Sequence, residues 1–204
     1  MKIGILGGSF NPIHNGHLNL AIAARDEYSL DRVLIMPNSD TYYKKDAEIS
    51  DADRMNMIQL SIRGQKKLYL SDIEVKRGGI TYTIDTIRFL KENDAKNNNQ
   101  NDYFFIVGGD SLHNLYYWRE IDELFRNMTF LAAVRDDIDE EEMLRIREEY
   151  LKTYPYAKID FLHTGMNPVS SSEIRKKITE GEDVQKLLPE SVKKYIDIRK
   201  LYRA

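Results

Sequence analysis

Gly7-Gly8-Ser9-Phe10-Asn11-Pro12-Ile13-His14-Asn15-Gly16-His17-Leu18 follows directly on an apolar run, Lys2-Ile3-Gly4-Ile5-Leu6. The run predicts a short buried strand, and the pattern from Leu18 to about Tyr28 predicts an amphipathic helix. A strand that breaks at glycines and re-enters as a helix gathers backbone N–H groups and a helix N-terminus at one point, which suits phosphate. His14 and His17, three residues apart, add ring nitrogens that can donate to anionic oxygens. Gly4, Gly7 and Gly8 do not keep the G-x-G-x-x-G spacing of dinucleotide-binding loops. The chain also lacks the Gly-Lys-Ser/Thr ending of a P-loop.

Outward from this segment, Arg32-Val33-Leu34-Ile35-Met36 is expected to form a second strand stopped by Pro37, with a polar surface loop over 38–50. Ser50 or Asp51 can cap a helix running to about Ser61, with Met55, Met57, Ile58 and Leu60 as its apolar positions. Leu68-Tyr69-Leu70 and Ile73-Glu74-Val75 read as extended, Arg77-Gly78-Gly79 as a turn and 83–91 as a helix. The Asn-, Asp- and Lys-rich run 93–101 reads as a solvated linker. Tyr103-Phe104-Phe105-Ile106-Val107 is the clearest central strand and ends at Gly108-Gly109-Asp110. Further strands are expected at 129–134 and 159–162, with a charged, solvated helix at 140–150 and two or three helices over 171–201. Alternating strands and helices imply an α/β doubly wound parallel sheet with a small helical C-terminal portion. We divide it into a core at 1–165 and a helical portion at 166–204, together one compact unit. Ligands in such sheets bind beyond the carboxyl ends of the strands, so the segments at 7–17, 37–45 and 108–110 should converge.

Composition narrows the function classes. A chain of 204 residues is long enough to bury a substantial core. Thirty basic against 33 acidic residues, a net −3, argue against a general nucleic-acid binder. No cysteine is present, which removes disulfides, thiolate metal sites and cysteine nucleophiles. A basic leader with an apolar h-region is not evident, and no apolar stretch approaches ~20 residues, so a cytoplasmic setting without membrane association is expected. A homo-oligomer is left open.

The pattern His14-Asn15-Gly16-His17, with its Gly-Gly-Ser-Phe-Asn-Pro lead-in, resembles the signature of the HxGH adenylyl- and cytidylyltransferases, which have a Rossmann-like nucleotidyltransferase fold. In Val169-Ser170-Ser171-Ser172-Glu173-Ile174-Arg175 the plain reading is a capping box, Ser170 with Glu173. The spacing from Ser170 to Arg175 also resembles the superfamily's S-x-x-x-x-R signature. Four further segments resemble one branch, the bacterial nicotinate mononucleotide adenylyltransferases. They are Gly79-Ile80-Thr81-Tyr82-Thr83-Ile84-Asp85-Thr86, then Phe105-Ile106-Val107-Gly108-Gly109-Asp110-Ser111-Leu112, then Trp118 followed by Ile121-Asp122-Glu123-Leu124, and the closing Leu188-Pro189-Glu190 to Ile196 with a terminal Leu201-Tyr202. The likeness covers essentially the whole chain in order. One segment departs: where the branch usually has Pro-Pro-His-Lys, this chain has Asp40-Thr41-Tyr42-Tyr43-Lys44-Lys45.

The resemblance implies adenylyl transfer from ATP to nicotinate mononucleotide, giving deamido-NAD and pyrophosphate. It implies catalytic roles for His14, His17 and Arg175, with Gly8, Ser9, Phe10, Gly108, Asp110, Ser171 and Ser172 completing the ATP site. On the mononucleotide side it implies Thr83, Trp118 and Arg119 at the pyridine ring. Ser9, Lys44, Lys45, Asp110 and Arg135 complete that side. Mg²⁺ is expected mainly on the ATP phosphates, and no protein ligand is assigned to it. Plainer readings stand beside these: one imidazole as a helix cap, Trp118 as a core anchor, Asp110 as a cap for 111–115. Rival functions are the same chemistry on nicotinamide mononucleotide or phosphopantetheine, a nucleotide-sensing module, and a metal hydrolase built on His14 and His17.

Overall fold

The computed structural model describes residues 1–39, 49–134, 137–164 and 169–203. Six strands, β1 (Lys2–Gly8), β2 (Arg32–Pro37), β3 (Leu68–Leu70), β4 (Asp102–Val107), β5 (Met128–Val134) and β6 (Lys158–His163), form one sheet in the order β3-β2-β1-β4-β5-β6. Every pairing is parallel. The helices are α1 (Asn15–Glu27), α2 (Asp51–Ser61), α3 (Ile73–Arg77), α4 (Thr83–Lys96), α5 (Gly109–Leu112), α6 (Ile121–Asn127), α7 (Asp137–Thr153), α8 (Ser171–Thr179) and α9 (Glu190–Arg199).

The central strands β1, β2, β4 and β5 are largely apolar because both faces of the sheet are covered there. Alternate residues feed opposite cores, as the two-residue period of a strand requires. Ile5, Phe105, Phe130 and Phe161 pack on one side with α4, α6 and α7. Leu6, Ile106, Leu131 and Leu162 pack on the other with α1, α2, α8 and α9. Residues from the C-terminal helices, Ile174, Val192 and Ile196 among them, belong to this second core. Gly4 packs closely under the segment that follows α1, where a Cβ would lie 2.8 Å from Leu30 Cδ1 and that side chain would have to shift. Chain progression reverses between β1 and β4, and that switch point opens a crevice at their carboxyl ends.

The expected doubly wound α/β architecture is therefore found, with local corrections. Ile73-Glu74-Val75 is not extended but lies in α3, which tucks Glu74 into the protein. The segment read as a linker from Asn93 begins as the last turn of α4, and its Asp94 is buried, accepting from Tyr103 Oη at 2.9 Å and Asn101 Nδ2 at 2.6 Å. α1 begins at Asn15, three residues before the apolar periodicity announces it. The helix read at 140–150 is α7, and it is less solvated than its charge suggests, since Met143 and Tyr150 are buried.

Tyr150 ties this scaffold to the crevice. Its hydroxyl donates to the Leu112 carbonyl at 2.8 Å and accepts the Tyr116 N–H at 3.2 Å, fixing the segment that leads to Trp118. Tyr150→Phe keeps the ring packing but orphans both backbone groups. It should cost about 1–3 kcal/mol of stability, measured as a lowered urea midpoint with an unchanged m-value.

Candidate active site

β1 ends in two glycines, and the chain then turns back on itself. Phe10 has φ +47, and its ring, 1% exposed, folds over Gly8, where a Cβ would meet it at 3.3 Å. The same ring meets His17 edge-on, centroids 4.9 Å apart. His14 stands at the N-cap of α1, and its N–H donates to His17 Nδ1 at 3.3 Å. This is the returning half of a capping box, with histidine where glutamate is usual. Because Nδ1 accepts, His17 must carry its neutral-form proton on Nε2. The two imidazoles stack, with centroids 3.7 Å apart and planes at 26°. His14 Nδ1 is buried without a partner.

Desolvation governs the charge of this pair. Burial lowers the His14 pKa to about 4. Burial, reinforced by the neighbouring His14, lowers that of His17 to about 3. At neutral pH both rings are uncharged hydrogen-bond partners at the positive end of a helix. Phosphate oxygens placed against them would favour the protonated forms and raise both values.

The crevice beyond the strand ends has a volume of about 780 Å³. Its wall includes Gly8, His14, His17, Asn38, Thr83, Gly108, Asp110, Trp118 and Ser171, so the segments 7–17 and 108–110 do converge, joined by Asn38 from 37–45, whose residues from 40 on lie outside the described residues. Thr83 is the first residue of α4, and Gly108 precedes α5. Trp118 serves as wall and anchor at once. It lies perpendicular to Phe105 at 5.5 Å and packs edge-on against Phe130 at 5.9 Å.

Other expected residues stand elsewhere. Arg175 does not line the crevice; Nη1 donates to the Asn11 carbonyl at 2.7 Å. Ser171 Oγ donates to the Pro12 carbonyl at 2.9 Å, so α8 grips the loop that precedes the histidines. Ser170 caps α8 by accepting the Glu173 N–H at 3.1 Å, the serine half of the capping box that the plain reading predicts, and Ser172 Oγ lies 3.0 Å from Ser170 Oγ. Arg119 stacks on Tyr82 with 4.8 Å to the ring centroid, outside the wall. Ser9 and Phe10 shape the loop rather than the wall. Lys44, Lys45 and Arg135 lie outside the described residues.

Sequence reasoning missed Arg54 and Glu74. Arg54 is fully buried on α2. Its signal was its position: 54, 57, 58 and 61 form the buried stripe of the helix, where a cation needs a reason. Glu74 was missed because α3 was. It lines the crevice, its Oε1 accepts from Thr86 Oγ1 at 2.6 Å, and burial raises its pKa against the opposing effects of Thr86 and Arg77.

A family model described as cytidylyltransferase-like matches residues 5–177. A protein of Lachnoclostridium phytofermentans named "Probable nicotinate-nucleotide adenylyltransferase" is 39% identical over 96% of each chain. A Desulfitobacterium hafniense protein of the same name is 34% identical over 99% of this chain and 96% of its own. The chain belongs to the nicotinate-nucleotide adenylyltransferases of the cytidylyltransferase-like family. The solved Plasmodium falciparum nicotinic acid mononucleotide adenylyltransferase complexed with NaAD shares the fold of this family member. It matches with TM-score 0.76 at 22% identity, over 98% of this chain and 97% of that one.

The depressed histidines are directly observable. In an NMR titration the His14 and His17 ring signals should remain those of neutral imidazoles from neutrality down to about pH 5. His163, whose pKa Glu27 and then Glu140 raise, should protonate above the ordinary histidine value. Saturating ATP should move the His14 and His17 midpoints upward. The same depression makes their contribution to stability complete above pH 6.5, and it is lost as pH falls toward about 4 and 3. Midpoints near 6.5 for the buried pair would contradict the burial argument.

Proposed function

We infer that this adenylyltransferase transfers the adenylyl group of ATP to nicotinate mononucleotide, forming deamido-NAD and pyrophosphate in NAD biosynthesis. One observation carries the reading. The stacked imidazoles at the start of α1 and the half-buried face of Trp118 line the same crevice, so a triphosphate site and a flat-ring site share one wall.

In the step itself, an oxygen of the mononucleotide 5′-phosphate attacks the α-phosphorus of ATP. The bond between that phosphorus and the bridging oxygen to the β-phosphate breaks, and pyrophosphate leaves with the electron pair. The attacking phosphate is already anionic, so no general base is required. The work left to the protein is alignment and stabilisation of charge on the non-bridging oxygens. His14, His17 and the N–H groups at the start of α1 supply this as preorganised donors. Ser171 and Arg175 act on the same chemistry through the loop they bind, holding Asn11 and Pro12 in place.

On the acceptor side, Trp118 offers an indole face to an electron-poor pyridine. The first N–H groups of α4, around Thr83, lie at the positive end of a helix of 14 residues. Their field favours a carboxylate over a carboxamide, which supports the acid as substrate. Among the described residues no cluster of three His, Cys, Asp or Glu side chains could hold a metal. Mg²⁺ would be carried mainly on the triphosphate and its waters, with Asp110 of α5 an oxygen side chain on the same crevice wall. When bound, the ion offsets charge on the leaving pyrophosphate. The use of ATP as donor supports placing the enzyme in the cytoplasm.

Pyrophosphate release from Mg-ATP, with nicotinate and nicotinamide mononucleotides offered in parallel, tests the reading. The acid should be strongly preferred, and turnover of neither would refute it. His17→Ala should lower kcat by about 10²–10³ with the thermal transition retained, as expected for loss of one preorganised donor. Trp118→Ala should raise KM for the mononucleotide while sparing KM for ATP. Equal loss on both sides would make Trp118 an anchor alone.

A further inference from the structure

Arg54 has no solvent exposure, yet it does not lie deep in an apolar core for packing's sake. Nη1 donates to the Ser9 carbonyl at 2.6 Å. Nη2 donates to the Asn38 carbonyl at 2.6 Å and to Asp51 Oδ1 at 2.8 Å. Ser9 belongs to the loop after β1, which carries the histidines. Asn38 directly follows β2, ahead of the segment in which the resemblance places acceptor contacts. These strands leave the sheet side by side, with Gly8 opposite Pro37 and the Asn38 N–H donating to the Gly8 carbonyl at 3.0 Å. One planar guanidinium therefore spans both loops and the first turn of α2.

Backbone geometry carries the consequence. Across a trans peptide the C=O and N–H point in opposite directions. The Ser9 and Asn38 peptides are trans, and both carbonyls are drawn to Arg54. The amides of Phe10 and Ser39 therefore face away from it. Gly8 and Asn38 line the crevice and Arg54 does not.

We propose that Arg54 is a positioning residue for adenylyl transfer, holding the histidine-bearing loop after β1 in register with the loop after β2 so that donor and acceptor phosphates meet in line. It touches neither substrate. This rests on the adenylyl-transfer reading and deepens it by naming what aligns the two halves of the crevice. A fork is required because a lysine ammonium is a point charge that cannot hold two carbonyls and a carboxylate in a fixed plane.

The test compares wild type, Arg54→Lys and Arg54→Ala by thermal unfolding and by pyrophosphate release with ATP and nicotinate mononucleotide each varied. Arg54→Lys keeps the charge and should remain folded, with kcat reduced about 10–100-fold, the scale of a small misalignment, and both KM values changed far less. Adding guanidinium ion to Arg54→Ala should restore part of kcat, whereas methylammonium should not. Wild-type kcat in Arg54→Lys would overturn the proposal. So would an activity loss that only tracks the folded fraction, or failure of both variants to fold, since either makes Arg54 scaffold alone. An inactive wild type would instead refute the adenylyl-transfer reading, which keeps the two failures apart.

Discussion

The loop from Ser9 to Pro12 has no ladder of its own, and the need to satisfy its carbonyl groups organises much of this molecule. Strand β1 has ended and helix α1 has not begun, so the carbonyls face the interior without intrinsic partners. Side chains from distant elements supply the donors. Arg54 binds Ser9, Arg175 binds Asn11, and Ser171 binds Pro12. Tyr202 adds a hydrogen bond from its hydroxyl to Asn11 Oδ1 at 2.6 Å. Helices at opposite ends of the chain are thus pinned to one turn, and that turn sets where His14 and His17 stand.

The same arrangement explains why the S-x-x-x-x-R segment lies so far from the H-x-G-H segment in sequence and so near in space. α8 places a capped N-terminus and an arginine against the loop, and its Ile174 is buried in the core that α1 also shares. A second tie runs through α9. Tyr195 donates to Asp53 at 2.7 Å, and Arg199 lies 3.4 Å from the same carboxylate, which neighbours Arg54 on α2. Fold and site are continuous here. Contacts that close the C-terminal helices onto the sheet also hold the loop that precedes the histidines.

The crevice divides its chemistry by burial. At the start of α1, desolvation keeps two imidazoles neutral, and in the proposed reading they act as directed dipoles until an anion arrives. On the ring side, aromatic packing against Phe105 and Phe130 fixes Trp118 before any ligand binds. An indole already held by the core loses little freedom on stacking. Its role as an anchor is therefore compatible with the proposed stacking on a pyridine ring.

The sequence alone determined the features governed by local periodicity and spacing. Apolar runs of strand length, helical stripes between them and the H-x-G-H turn at the end of the first strand led to a doubly wound sheet with a phosphate-facing crevice, because backbone period and turn chemistry act over a few residues. The same locality explains the misreadings: Ile73-Glu74-Val75 is too short for any period to speak, and the polarity of 93–101 hides Asp94's burial. Tertiary structure decided the rest. That Arg175 binds a carbonyl, that Arg54 spans two loops and that both histidines lose their charge all depend on burial and on contacts between residues as much as 164 positions apart. Burial of these polar groups is a property of the assembled core, which a local pattern such as the stripe carrying Arg54 signals without naming the partners.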